Sequence, residues 1–292
     1  MLSTWILLSL LSAFALATSD AFTKRALKTC NEYLVAWFRL LFSLPLLLFF
    51  LIMFPRPNLD SEFFKAFIIA LPLEILSAIL YIKALRLSPL SLTLPFLSLT
   101  PVFVIVISYA ILGEKVSLQG MTGIFFLAAG SYVLHIHELN KGILDPIKAI
   151  VKEKGSVLMI FVALIYSITS SLGKMAIQHS SPLFFGATYV VVLTLFFTPV
   201  ALWKGRHDIK DFVKDKLYSG LALPGIFYSI MVASHMLAIN LTNVAYMISV
   251  KRTSVIIGVL YGYFLFREKH IKERLAGAII MFVGFVMIVT AQ

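Results

Sequence analysis

The chain has 292 residues, of which 60% are hydrophobic, with a formal net charge of +11 and a mean hydropathy of +0.95. A soluble domain averages roughly 45–50% apolar residues, and here the excess falls in blocks of about twenty, each long enough to cross a ~30 Å hydrocarbon core as a helix. That leaves almost no length for a soluble domain. The positive charge reads as basic loops at anionic headgroups, so no nucleic-acid partner is expected.

In chain order, ten spans are predicted at 4–23, 33–54, 66–86, 90–112, 118–137, 156–176, 182–203, 217–240, 244–266 and 272–290. Lipid offers backbone groups no partners, which favours helices, and the strict alternation of a membrane strand is absent. The fold class expected is an all-α polytopic membrane protein. The first span contains Ala15-Leu16-Ala17, a sequence like a leader cleavage site, but it lacks a basic n-region. An internal copy of this segment argues that it is retained.

Most Lys and Arg residues lie in or beside loops 1/2, 3/4, 5/6, 7/8 and 9/10, whereas the opposite side has Arg56, Lys65, Lys115 and Lys174. The positive-inside rule places the basic side in the cytoplasm and both termini outside. Two basic loops read as interfacial helices, one with Ile143, Ile147, Ile150 and Val151 on its apolar face, the other with Ile209, Phe212, Val213 and Leu217.

The chain repeats itself. Ser108–Gly130 resembles Gly262–Gly284 at an offset of 154, pairing Tyr109 with Tyr263, Glu114 with Glu268, Lys115 with Lys269, Gly123 with Gly277 and Gly130 with Gly284. Ala84 onward matches Ala238 onward at the same offset, and Ser19–Ala26 matches Thr169–Ala176 at an offset of 150. The units read are 1–137, an interfacial connection at 138–155, and 156–292. Five spans per copy is an odd number, so the second copy crosses inverted. Inverted repeats characterise secondary transporters, with the substrate site at the repeat interface near mid-membrane. The paired glycines are expected to form a seam between helices five and ten.

The polar residues inside the spans are few, and each is a functional candidate. Lys251 lies about 10 Å along its helix from Val244, too deep to snorkel easily. Arg252 follows it, and adjacent helical positions diverge by ~100°, so the two are expected to straddle a cavity wall and grip an anion. Arg39 needs a partner, with Glu74 and Asp20 as the deep acids available. Glu74, Ser77 and Tyr81 share a face of helix three, and Glu74 and Tyr81 map onto Tyr228 and His235 of helix eight. Glu74 reads either as a proton-coupling carboxylate or as the partner of Arg39 or Lys251. Asp20 and Lys24 read as an ordinary i,i+4 pair. Ser167, Ser170, Ser171 and Lys174 form a polar face on helix six. Pro95 and Pro101 predict a bent or unwound helix four, and helix nine, without proline, is expected to differ from it.

No nucleotide loop or catalytic triad is present, so no enzyme activity and no cofactor are expected. His135, His137 and Glu138 resemble a metal cluster only superficially, and the lone Cys30 permits no disulfide within the chain.

The ten spans, the duplication, Gly113-Glu114-Lys115 and Arg267-Glu268-Lys269 before the last helix of each copy, and Arg39 within Trp37-Phe38-Arg39-Leu40 resemble the drug/metabolite transporter superfamily, EamA type. That resemblance implies a helical basket, a central cavity and alternating access, with termini commonly cytoplasmic. Val250-Lys251-Arg252 with Val255-Ile256 also resembles helix nine of the plastid sugar-phosphate translocators. There the Lys-Arg pair binds phosphate with a helix-eight Tyr, here Tyr228, while Leu97 stands where those proteins carry a Lys. The expectation is a secondary transporter of a small anionic or zwitterionic metabolite in the cell membrane, as monomer or homodimer, with protons or a counter-substrate as coupling partner. The alternative is a proton-coupled exporter of neutral or cationic metabolites or drugs. Substrate-site candidates are Lys251, Arg252, Tyr228, Glu74, Arg39, Tyr81 and His235.

Overall fold

The computed structural model describes residues 3–88, 93–133, 153–267 and 271–291. Most of the 138–155 connection, His135, His137, Glu138, Glu268 and Lys269 lie outside these. Ten apolar helical segments are present among the described residues: α1 (Thr4–Ala26), α2 (Glu32–Met53), α3 (Ser61–Leu87), α4 (Thr100–Leu112), α5 (Leu118–Val133), α6 (Lys154–Gln178), α7 (Pro182–Gly205), α8 (Ala222–Leu241), α9 (Val244–Lys251 continued by Ser254–Phe266) and α10 (Ile271–Val289). Seven are long and apolar enough to cross a membrane, and three shorter apolar helices come from α4, α5 and α10.

Local chemistry sets the ends. The Asn31 side chain accepts from the Tyr33 amide at the start of α2, and Asp60 accepts from Phe63 at the start of α3. Glu153 caps α6 through the amides of Gly155 and Ser156. These side chains satisfy amides that the first helical turn leaves unpaired. Gly113 closes α4 at φ +69°, a left-handed conformation that glycine adopts without strain. A short helix, Ile209–Lys214, follows α7 and buries Phe212, so the second amphipathic loop segment is helical as expected; the first falls outside the described residues.

The packing is that of two inverted five-helix copies. α1 packs on α8, and its repeat mate α6 packs on α3. The self-mated pairs α2 with α7, α4 with α9 and α5 with α10 meet each other. The predicted glycine seam joins α5 and α10, where a Cβ on Gly123 would lie 2.8 Å from the Gly284 carbonyl oxygen, and one on Gly130 would lie 2.7 Å from that of Gly277. Only a hydrogen fits there, which lets the backbones touch.

Helix four meets expectation in part and helix nine departs from it. Leu94–Leu99 is a 3₁₀ turn leading into α4, as the prolines require. α9, however, also breaks, at Arg252 and Thr253. The Arg252 amide points at both the Ile248 and Ser249 carbonyls, and those of Thr253 and Val255 bond three residues back instead of four. The Thr253 hydroxyl donates to the Val250 carbonyl at 2.8 Å, which holds this turn tight. The unbroken stretches after the two breaks start at Thr100 and Ser254, equivalent positions at the 154 offset, and each runs for 13 residues.

Candidate functional site

Between the two copies lies a cavity of about 110 Å³ for the centres of water-sized molecules, room for a small organic molecule or several waters. All seven sequence candidates line it: Arg39 from α2, Glu74 and Tyr81 from α3, Tyr228 and His235 from α8, Lys251 and Arg252 from α9. Lys251 and Arg252, expected to straddle the wall and grip one anion, both line this space, with the α9 break falling at Arg252 and Thr253.

The two cations are buried, with 9% and 3% of their surface exposed. The Lys251 ammonium lies 3.0 Å from Nδ1 of His235 and 3.3 Å from the Met231 sulfur. A donor at Nδ1 makes that nitrogen the acceptor and places the ring proton on Nε2. Arg252 donates to the Thr100 hydroxyl at 2.9 Å, and its Nε has no partner among the described residues. Among the described residues neither cation forms an ion pair with a carboxylate.

Arg39 does have one. Its guanidinium lies 3.3 Å from Asp20, whose other oxygen accepts a short bond from Tyr81. It also lies over the Tyr228 ring, 4.7 Å from the centroid. Arg39 is therefore the cation with a fixed counter-charge, and Asp20 is its partner. This corrects the i,i+4 reading of Asp20 with Lys24: Lys24 turns the other way and donates to the backbone carbonyls of Leu85 and Ser88. Tertiary partners outweigh a surface helix pair of about 0.2–0.5 kcal/mol.

Glu74 is half-buried and, among the described residues, makes no ion pair with Arg39 or Lys251. Thr169 is its polar neighbour. Of the polar face on α6, Ser170 lines the cavity, together with Tyr166, Thr169 and Gly173. Ser167 and Ser171 instead bond to the carbonyls of Leu164 and Ser167 in their own helix. Tyr166 and Tyr189 escaped the sequence reading, since tyrosines in apolar spans look like core residues. Lys174, at the end of α6, is ion-paired to Glu114 and donates to the Thr242 carbonyl at 2.7 Å. It is a tie between helix ends and does not line the cavity.

Leu97, Phe185, Val190, Leu193, Val232, Met236 and Ile239 complete an apolar lining, so the site joins greasy walls to a few convergent charges, as small-molecule sites do. The sequence was compared with known proteins. The profile of the EamA-like transporter family matches residues 3–136 and 153–290, one copy each. The chain belongs to the EamA-like transporter family. No curated protein matches it. A solved structure titled only "Crystal structure of protein" superimposes with a TM-score of 0.74 at 12% identity, covering 98% of both chains, which shows a shared fold. As an EamA-like transporter the protein is a multi-pass membrane transporter of the drug/metabolite superfamily and not an enzyme. Its partners are a small-molecule substrate and lipid.

Proposed function

We propose that this transporter carries a small organic anion or zwitterion across the cell membrane by alternating access through the central cavity. Lys251 and Arg252 bind the acid group of the substrate. Tyr228, Tyr81 and His235 supply hydrogen bonds, and Arg39, held by Asp20, shapes the field. The observation that supports this reading is that two buried cations share one cavity with no carboxylate in contact among the described residues. Burying an uncompensated charge costs free energy, and an anionic ligand recovers it. Arg offers a planar fork and Lys a point charge to the same group. The copies are 1–137 and 156–292, joined by 138–155, with the basic loops facing the cytoplasm.

The test is binding of an organic-acid library to purified Lys251→Met and Arg252→Met proteins. Each variant is expected to weaken anion binding by about ten- to a hundredfold, the worth of one charge-assisted hydrogen bond. Each is also expected to unfold no more easily than the parent. Variants with wild-type affinity and reduced stability would show the cations to be structural.

A second reading rests on Glu74, a cavity carboxylate without an ion-pair partner among the described residues. It is a proton-coupled exporter of neutral or cationic compounds. This reading requires Glu74→Gln to abolish flux driven by a pH gradient while Lys251→Met leaves substrate affinity unchanged.

A further inference from the structure

The acid-binding residues occupy only part of the cavity. The rest is contributed by α3, α6 and α7 through Glu74, Tyr166, Thr169 and Tyr189. Tyr189 is buried and, among the described residues, its hydroxyl has no hydrogen-bond partner. Tyr166 and Tyr189 both lie within the field of the Glu74 carboxylate, as does Tyr228. A carboxylate, three tyrosines and a threonine thus line one cavity, and carboxylates, aromatic faces and hydroxyl oxygens are groups that attract an ammonium.

Glu74 and Lys251 feel each other's charge but do not touch. Elsewhere the chain closes such pairs into contact, as between Arg39 and Asp20 and between Lys174 and Glu114. Lys251 instead faces an imidazole and a thioether, weak acceptors beside a carboxylate. The charges lining the cavity are Arg39, Lys251 and Arg252 against Glu74, with Asp20 cancelling Arg39 from behind. One positive charge remains over.

We propose that Glu74, Tyr166, Thr169 and Tyr189 form an amine subsite, and that the substrate is an amine-bearing organic acid with one more acid group than amino groups. This deepens the organic-anion reading and rests on it. The acid groups face Lys251 and Arg252, the amino group faces Glu74, and the bound ligand closes the gap that the protein leaves between its own charges. Such a ligand neutralises the surplus, whereas a simple zwitterion leaves it in place. The apolar lining encloses the carbon skeleton.

The experiment is calorimetric binding to the purified full-length protein of L-glutamate and L-aspartate, each beside its N-acetyl derivative. N-acetylation removes the ammonium and keeps the acids. Binding of at least one parent, about tenfold tighter than its N-acetyl form, is expected. Glu74→Gln should erase that preference by weakening the parent alone. Tyr189→Phe, which deletes only the unpartnered hydroxyl, should lower the preference severalfold and serves should Glu74→Gln fail to fold. N-acetyl forms that bind as well as their parents, with Lys251→Met weakening both, would overturn the amine subsite and leave the anion site standing. A preference that survives both variants would also overturn it. If no compound of either series binds, the amine subsite and the anion reading fall together.

Discussion

The tie between Lys174 and Glu114 permits a quantitative test of how the helix ends are held. Lys174 and Glu114 are about nine-tenths buried, with side-chain exposures of 9% and 10%. One Glu114 oxygen pairs with the ammonium, and the other accepts the Val244 amide at 2.8 Å, capping the start of α9. Glu114→Gln leaves a buried ammonium whose remaining partner is the Thr242 carbonyl. Breaking a buried pair from one side costs about 3–5 kcal/mol, and the cap adds about 1 kcal/mol where the new amide misplaces its oxygen. Lys174→Met strands the acid, but that acid keeps the Val244 amide, so its loss should be smaller. The double variant retains no uncompensated charge and should lose clearly less than the two single losses together. Equilibrium unfolding of the purified protein in mixed micelles, titrated with denaturing detergent, reads all four corners of this cycle. Additive losses, or single variants within about 0.5 kcal/mol of the parent, would refute the argument, since coupled neighbours differ from additivity by ~0.5–3 kcal/mol.

The glycine seam should be as intolerant. Gly123→Ala places a methyl group against the Gly284 carbonyl and should cost about 1–3 kcal/mol in the same titration, whereas a change at Gly220, which has open space around it, should be neutral. Asp60 is held below the usual carboxylate range first by the Phe63 amide and then by His179. Its contribution is therefore complete above that range and lost as pH falls through its own lowered pKa; Asp60→Asn, which keeps a capping oxygen, should flatten the acid limb of a stability–pH profile. Trp37 donates to the Thr198 hydroxyl at 2.9 Å, joining α2 to α7, so Trp37→Phe should lower stability by about 1 kcal/mol.

The architecture and the charged part of the site were legible for one reason: ionisable groups are rare in apolar spans. Lys251, Arg252, Arg39 and Glu74 stand out against their neighbours, and each lines the cavity. Residues that look alike in core and site were harder to place. Tyr189 follows Ala187 and Thr188 and precedes three valines, and nothing in that pattern separates a cavity tyrosine from a packed one. On α6 the serines left the cavity face open, because a serine can satisfy itself on its own helix and so need not mark a wet face. The α9 break was hidden because Lys251-Arg252-Thr253 holds neither proline nor glycine. Spacing rules also placed Asp20 with Lys24, when the deeper partner was Arg39, far along the chain.

On the proposed reading, the break in α9 would let the cations serve both phases of an alternating cycle. α4 and α9 are repeat mates and pack on each other, and both resume their α-helices at equivalent positions, Thr100 and Ser254. The backbone is thus symmetric here, while the side chains are not. Leu97 and Ser98 stand in one copy where Lys251 and Arg252 stand in the other. Arg252 spans the junction by donating to Thr100, so the cationic element lies where the two copies meet. When inverted copies exchange conformations, groups far from their common axis move from one face toward the other, and groups near it move least. On that reading, a substrate acid held at this junction would stay bound while access changes around it. The lysine ties belong to the far ends: Lys174 bonds the Thr242 carbonyl, and Lys24, its mate, bonds that of Ser88, the repeat equivalent of Thr242. The inverted duplication therefore places matching ties at the two helix ends and leaves the unmatched charge at the centre, where the proposed site would serve both faces.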